Sequence, residues 1–233
     1  MPARPPLPAA VETATARAFE TAARWRRARA LHPRGDTFRG TAALTPVGSA
    51  LGDRAEIAVV VRLSRGIGLP HPVPDFNGIA IRFQDAHGRG RHQDLLLTSA
   101  LAAPVLRHVL RPAATFAAAG HTTVLPYRRP GGGRIMFRCP PMALERLDDG
   151  AAALPFPIAL DVATLLGPWE RAADLVVTAP EPDAGPRFDP WNTGDQLIPS
   201  GLLNRLRGPA YAGSRAGYPA APVRAKDAHH SGR

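Results

Sequence analysis

Three short apolar runs follow one another in the first half of the chain: Ile57-Ala58-Val59-Val60-Val61-Arg62-Leu63-Ser64, Ile79-Ala80-Ile81-Arg82-Phe83 and Asp94-Leu95-Leu96-Leu97-Thr98. Each is too short for a stable helix, and the first is dominated by β-branched residues, which lose little freedom in an extended strand. The breaks between them are turn chemistry: Arg65-Gly66-Ile67-Gly68-Leu69-Pro70, then Asp75-Phe76-Asn77-Gly78, then the polar stretch from Asp85 to Gln93. No helical pattern intervenes. The spacing therefore predicts an antiparallel meander rather than alternating βαβ units.

The remaining chain supplies strands on one side of this meander and helices at its ends. Val11 to about Ala30 reads as one alanine- and arginine-rich helix, with Val11, Ala18, Ala22, Trp25 and Ala28 near one face. Thr41 to Asp53 reads as a loop or hairpin marked by Pro46, Gly48 and Gly52, and Pro104 to Phe116 as a helix broken at Pro112. Thr122 to Tyr127 and Arg134 to Arg138 read as short strands around Pro130-Gly131-Gly132-Gly133. Phe156 to Thr164 and Asp174 to Thr178 add two more, Pro180 to Pro190 is a linker, and Gly201 to Arg207 is helical in character. The expectation is an α+β chain: an antiparallel β core with flanking helices. It has a flexible N-terminus over residues 1–10, one domain over 11–215 and a loose tail over 216–233.

With 233 residues and 45% hydrophobic side chains, the chain can bury a sizeable core. No apolar run approaches the ~20 residues a membrane helix needs, and the first ten residues are proline-rich rather than leader-like, so the expectation is a soluble cytoplasmic protein without membrane association. The single cysteine, Cys139, excludes an intramolecular disulfide framework and reads as a buried structural thiol. The formal charge of +10 comes almost wholly from arginine, Lys226 being the only lysine. Outside Arg24, Arg26, Arg27 and Arg29 these arginines form no stripe, and few aromatics lie between them to stack on bases. Nucleic acid is accordingly not expected as a partner, whereas an anionic cofactor suits the guanidiniums.

The stretch Arg29-Ala30-Leu31-His32-Pro33-Arg34-Gly35-Asp36-Thr37-Phe38-Arg39-Gly40 sets one imidazole among arginines in a run broken by Pro33, Gly35 and Gly40. Surrounding cations favour the neutral, proton-accepting ring, so His32 is a candidate for proton transfer; it is equally compatible with a solvated residue in a basic turn. His87 and His92, in the polar loop, are expected to face solvent, with no ligand spacing around them for zinc. The glycine run 131–133 lacks the strand, spacing and lysine of a phosphate-binding loop and is better read as a hairpin turn.

Several of these segments together resemble the haem catalases. Arg29 to Gly35 is similar to the segment in which an arginine precedes the essential histidine by three residues and a basic-Gly pair follows. Val61-Arg62-Leu63-Ser64 with Gly68 resembles that family's Val-Arg-Phe-Ser strand and following glycine. Asp75 to Phe83 resembles its Asp-Pro-Arg-Gly-Phe-Ala-Val-Lys-Phe segment at Asp, Gly, Ala and the last Phe, and Asp94-Leu95 stands where it has Asp-Leu-Val. Near the C-terminus, Arg207-Gly208-Pro209-Ala210-Tyr211 has the Arg-x-x-x-Tyr spacing of the haem-ligating tyrosine. Phe188-Asp189-Pro190 and Tyr211-Ala212-Gly213-Ser214 are similar to the C-terminal pattern of the smaller catalase-related peroxidases.

The resemblance implies an antiparallel β-barrel core, haem b as cofactor and peroxidase-type chemistry on peroxide with a small organic reductant, in a protein that could oligomerise. It implies that Tyr211 binds the iron as tyrosinate, assisted by Arg207, and that His32 on the opposite haem face moves the proton between the peroxide oxygens. Ser64 would orient the His32 ring, and Arg29 and Arg62 would hold the propionates. Asp75 and Gly78 would be architectural. Four positions depart from the family. Thr98 replaces the asparagine that helps polarise peroxide, and a hydroxyl reaches less far than an amide. Ala103 and Pro104 replace phenylalanines beside the haem, and Tyr218 stands where an arginine is expected, with Arg215 nearby. The rival expectations are a haem-free scaffold of the same fold acting as a binding protein and, on arginine content alone, a phosphodiester hydrolase, which lacks an evident metal cluster.

Overall fold

The computed structural model describes residues 34–142, 153–181 and 185–200. They form ten strands: β1 (Arg34–Leu44), β2 (Glu56–Arg65), β3 (Asn77–Phe83), β4 (Gln93–Ala100), β5 (Gly120–Thr122), β6 (Tyr127–Arg128), β7 (Arg134–Cys139), β8 (Phe156–Thr164), β9 (Glu170–Pro180) and β10 (Ile198–Pro199). The order β7-β5-β4-β3-β2-β1-β9-β8 closes on itself through pairing of β8 with β7, and every pairing is antiparallel. The result is a closed eight-stranded barrel without free edges on those strands, with β6 and β10 added beside β7. The meander read from the sequence is the β2-β3-β4 wall of this barrel.

The barrel is held by the alternation of its strands. Ile57, Val59, Val61 and Leu63 of β2 join Phe38 and Ala42 of β1, Ile79 and Ile81 of β3, Leu95 and Leu97 of β4 and Leu160 and Leu175 of β8 and β9 in one interior core, each almost wholly buried. Removing each of these large aliphatic side chains from water is worth about 1.5–3 kcal/mol. Phe38 meets Phe156 edge to face at 5.5 Å across the interior.

β1 departs from expectation. The sequence suggests a broken turn as far as Gly40 and a loop from Thr41, but Arg34–Leu44 is one continuous strand, and only Pro46–Leu51 beyond it forms a 3-10 helix. Pairing on both sides, to β2 and β9, overrides the turn tendency of its glycines. Those glycines instead permit close approach: a Cβ on Gly35 would lie 2.3 Å from the Leu63 carbonyl oxygen, and one on Gly40 2.2 Å from that of Val176. Gly35→Ala is expected to lower unfolding free energy by about 1–3 kcal/mol, because β1 must move away from β2. Chemical denaturation would show it, and a wild-type midpoint would contradict the packing described.

The helical expectations fare differently. Among the described residues the 3-10 helix is the sole helix, so these parts are all β rather than α+β with flanking helices. Pro104 to Phe116 is a set of turns, bonded as Leu101 N–H to Val109 O and Arg111 N–H to Ser99 O. Its anchor is Arg107, fully buried, which donates to the carbonyls of Thr164 (2.8 Å) and Gly167 (3.0 Å) and stacks on Trp169 at 4.3 Å. Tertiary bonding of this arginine wins over local helix propensity. The helices expected over Val11–Ala30 and Gly201–Arg207, and both expected domain limits, lie outside the described residues. No helix among the described residues is long and apolar enough to cross a membrane.

Candidate functional site

The outer face of the β1–β4 wall, at the end where β1 begins, is built from cross-strand neighbours. Gly35 pairs with Ser64, Ser64 with Gly78, Gly78 with Thr98 and Thr98 with Thr122. In the next outward-facing row Thr37 pairs with Arg62, Arg62 with Ala80 and Ala80 with Leu96. Since Leu63 and Val61 point inward, Ser64 and Arg62 point outward. Both are nonetheless buried, at 6% and 7% exposure, as is Val60 at 3%. A guanidinium and a hydroxyl buried together on a barrel's outer wall mark this as covered ground rather than solvated surface.

Ser64 donates a hydrogen bond to the Gly78 carbonyl at 3.3 Å. Thr98 lies two strands away, half-buried, with only Gly78 between the two hydroxyls. The structure thus brings Ser64, Arg62 and Thr98 onto one face, over a floor of Gly78 and Ala80 that carries no large side chain. Such a floor suits a flat ligand, and Arg62 suits a carboxylate on it. Arg29, His32, Arg207, Tyr211, Arg215 and Tyr218 lie outside the described residues. Ala103 and Pro104 sit exposed in the turns after β4.

The end of β2 is fixed by Asp75. Its buried carboxylate accepts the backbone N–H groups of Ile67, Gly68, Leu69 and Phe76, and Arg65 stands 3.9 Å away. Burial pushes this carboxyl up, but the four N–H donors together outweigh it and hold it below the usual value. The architectural role expected of Asp75 is what its bonding provides. A second acid, Asp94, is fully buried and gripped by both nitrogens of the Arg82 fork at 2.7 Å, and it also accepts the Asp189 N–H at 2.9 Å. Burial pushes Asp94 up despite these partners. Arg82 further donates to the Arg187 carbonyl and lies over Phe188. Phe188-Asp189-Pro190 is therefore strapped across β3 and β4. Beyond it, the N–H and hydroxyl of Ser200, the last described residue, both bond the Pro126 carbonyl.

Two buried residues, Arg107 and His121, were not singled out by the sequence, and the exposure expected of a third, His87, is overturned. Arg107 is described above; the others are histidines. His87, expected in solvent, is buried at 3% and bonds Asp53 through Nδ1 at 2.9 Å. His121 is fully buried, stacked on Phe116 at 5.1 Å, with its pKa lowered to about 4 by burial. No local pattern marks them, since burial of each is decided by strands far away in sequence. His121 has a consequence for acid stability. Its folded-state pKa lies below the unfolded value near 6.5, so the unfolded chain takes up the proton first, and stability falls as pH drops from about 6.5 towards 4. Urea unfolding at pH 7 and pH 4.5 should differ by roughly 2–3 kcal/mol from this group, and His121→Phe should remove that difference. Asp75, with its lowered pKa, keeps its contribution until below pH 3.8.

Cys139 is buried, and burial pushes its thiol up, so it is an inert core residue as read from the sequence. Among the described residues no group of three or more His, Cys, Asp or Glu side chains is placed to hold a metal ion.

No protein-family model matches the sequence, and no curated protein matches it. Among solved structures, a fungal catalase is similar, with a TM-score of 0.57 and 13% sequence identity over 84% of this chain. The chain spans 61% of that catalase's length. At this identity the likeness is one of fold: the closed antiparallel barrel described here is catalase-like.

Proposed function

We propose that the chain is a haem-binding, catalase-like protein with peroxidase-type activity on peroxide and a small organic reductant. The observation that carries this reading is the register of the barrel wall. It sets Ser64 and Thr98 on one covered face with Gly78 between them and Arg62 alongside, and it starts β1 at Arg34, opposite Arg65 and two residues after His32. The chain between His32 and Arg34 can extend no more than about 7 Å. The catalase-like barrel supports the reading, because three of the segments that resemble catalase in sequence lie on its consecutive strands β2, β3 and β4.

Two features of this face support a haem: Gly78 and Ala80 put no large side chain on β3 beside Ser64 and Arg62, and a guanidinium such as that of Arg62 suits a propionate. Haem would supply an iron that gives electrons to peroxide and recovers them from the reductant. The chain's own work would be at the proton. His32 would accept it from the near peroxide oxygen and return it to the far one, Ser64 would hold that ring in one tautomer, and the Thr98 hydroxyl would donate to peroxide with less reach than an amide. Arg29 would join Arg62 on the propionates, and Arg207 would favour the ionised form of Tyr211, the proposed iron ligand.

A haem-free binding scaffold is the second reading. It is favoured by Thr98 and by the exposed Ala103 and Pro104, which offer no aromatic wall. Full-length protein titrated with haem separates the two. A Soret band together with peroxide-dependent oxidation of a small phenol supports the first, and a colourless protein that takes up no haem selects the second.

A further inference from the structure

Behind the outer row, on the inner side of the same sheet, runs a second polar row. Thr98 and Thr122 face outward, and their neighbours Ser99 and His121 face the barrel interior. Ser99 pairs with His121, and His121 with Cys139; on the other side Ser99 accepts the backbone N–H of Asn77 through its hydroxyl at 3.1 Å. Asn77, Ser99, His121 and Cys139 therefore form one line across β3, β4, β5 and β7, at 1% exposure or less, in an interior filled mostly by aliphatic and aromatic side chains.

Three polar atoms of this line have no protein partner among the described residues: Asn77 Oδ1 and both ring nitrogens of His121. Asn77 Nδ2 is used on the Ala113 carbonyl, which fixes the amide with its oxygen unspent. Phe116 covers one face of the His121 ring, so the ring cannot turn out to solvent. A buried imidazole with both nitrogens unpaired, beside an unpaired amide oxygen, is a costly arrangement for a core, and bound water relieves it with two to four hydrogen bonds per molecule. Two strand spacings, about 10 Å between backbones, separate Asn77 from His121, with Ser99 between them.

We propose that this end of the barrel interior binds a short string of ordered water molecules linking His121 to Asn77 Oδ1 past the Ser99 hydroxyl. This internal solvent site braces β3, β4 and β5 directly beneath Gly78, Thr98 and Thr122. The ligand class is water: the site offers one acceptor oxygen, a hydroxyl and a neutral imidazole with one donor and one acceptor nitrogen, and no charged group belongs to the row. The proposal is independent of haem.

The test is a double-mutant cycle on the full chain together with NMR. His121→Phe keeps the ring stacking on Phe116, and Asn77→Leu removes the amide. If water links the two residues, each single variant melts lower, and the double variant melts higher than the sum of the two losses predicts, by roughly 2–4 °C. Additive losses, or a rise in melting temperature for His121→Phe alone, would show a dry, merely unsatisfied ring and overturn the proposal. Should a variant fail to fold, the wild type decides the matter. Cross-relaxation from long-lived water to the His121 ring protons is expected, and its absence rejects the site.

Discussion

On the proposed function, His32→Ala is expected to lower peroxide turnover by about 10²–10⁴-fold while the haem absorption band stays in place. The size follows from the role. Breaking the peroxide bond requires a proton to leave one oxygen and reach the other, and without a positioned base this transfer falls to water. The retained band follows because His32 is not assigned to the iron. β1 begins at Arg34, opposite the end of β2 that carries Ser64. Steady-state peroxide consumption and an absorption spectrum on the same sample measure both halves. Unchanged turnover would remove His32 from the chemistry and return its segment to a basic turn. Loss of the band would make it part of the cofactor's binding instead.

The largest effect on stability is expected from Asp94→Leu, a loss of about 3 kcal/mol or more in chemical denaturation. The carboxylate is fully buried and takes both arms of Arg82, whose side chain is itself only 15% exposed. Removing it strands a guanidinium against the Phe188 ring and leaves the Asp189 N–H without its acceptor. Taking away both charges, in Arg82→Met with Asp94→Leu, should recover much of the loss, since a buried pair holds little net advantage over apolar packing. A single variant as stable as wild type would mean that the 185–200 segment is held by other contacts.

How much of this was legible in the sequence depends on the range of the forces involved. β2, β3, β4 and β8 could be read nearly to their ends, because their apolar runs and flanking turn residues are local signals. β1 could not: Gly35 and Gly40 look like breakers, and only its pairing on both sides shows that they serve close packing. Pro104 to Phe116 looked helical for its composition, but buried Arg107 ties it to the β8–β9 connection almost sixty residues away. Ser64, Arg62 and Thr98 were named only through the resemblance to catalases, and the strand register sets them on one face. The inner row of Asn77, Ser99 and His121 had no such signal, since its members are ordinary turn and strand residues until three strands line them up.

The central claim is a haem held by Tyr211, and the absorption spectrum of the full-length protein loaded with haem tests it most directly. The account predicts a Soret band for the wild-type protein that is lost or shifted in Tyr211→Phe. A wild-type protein without a Soret band, or a band identical in the two proteins, would contradict it.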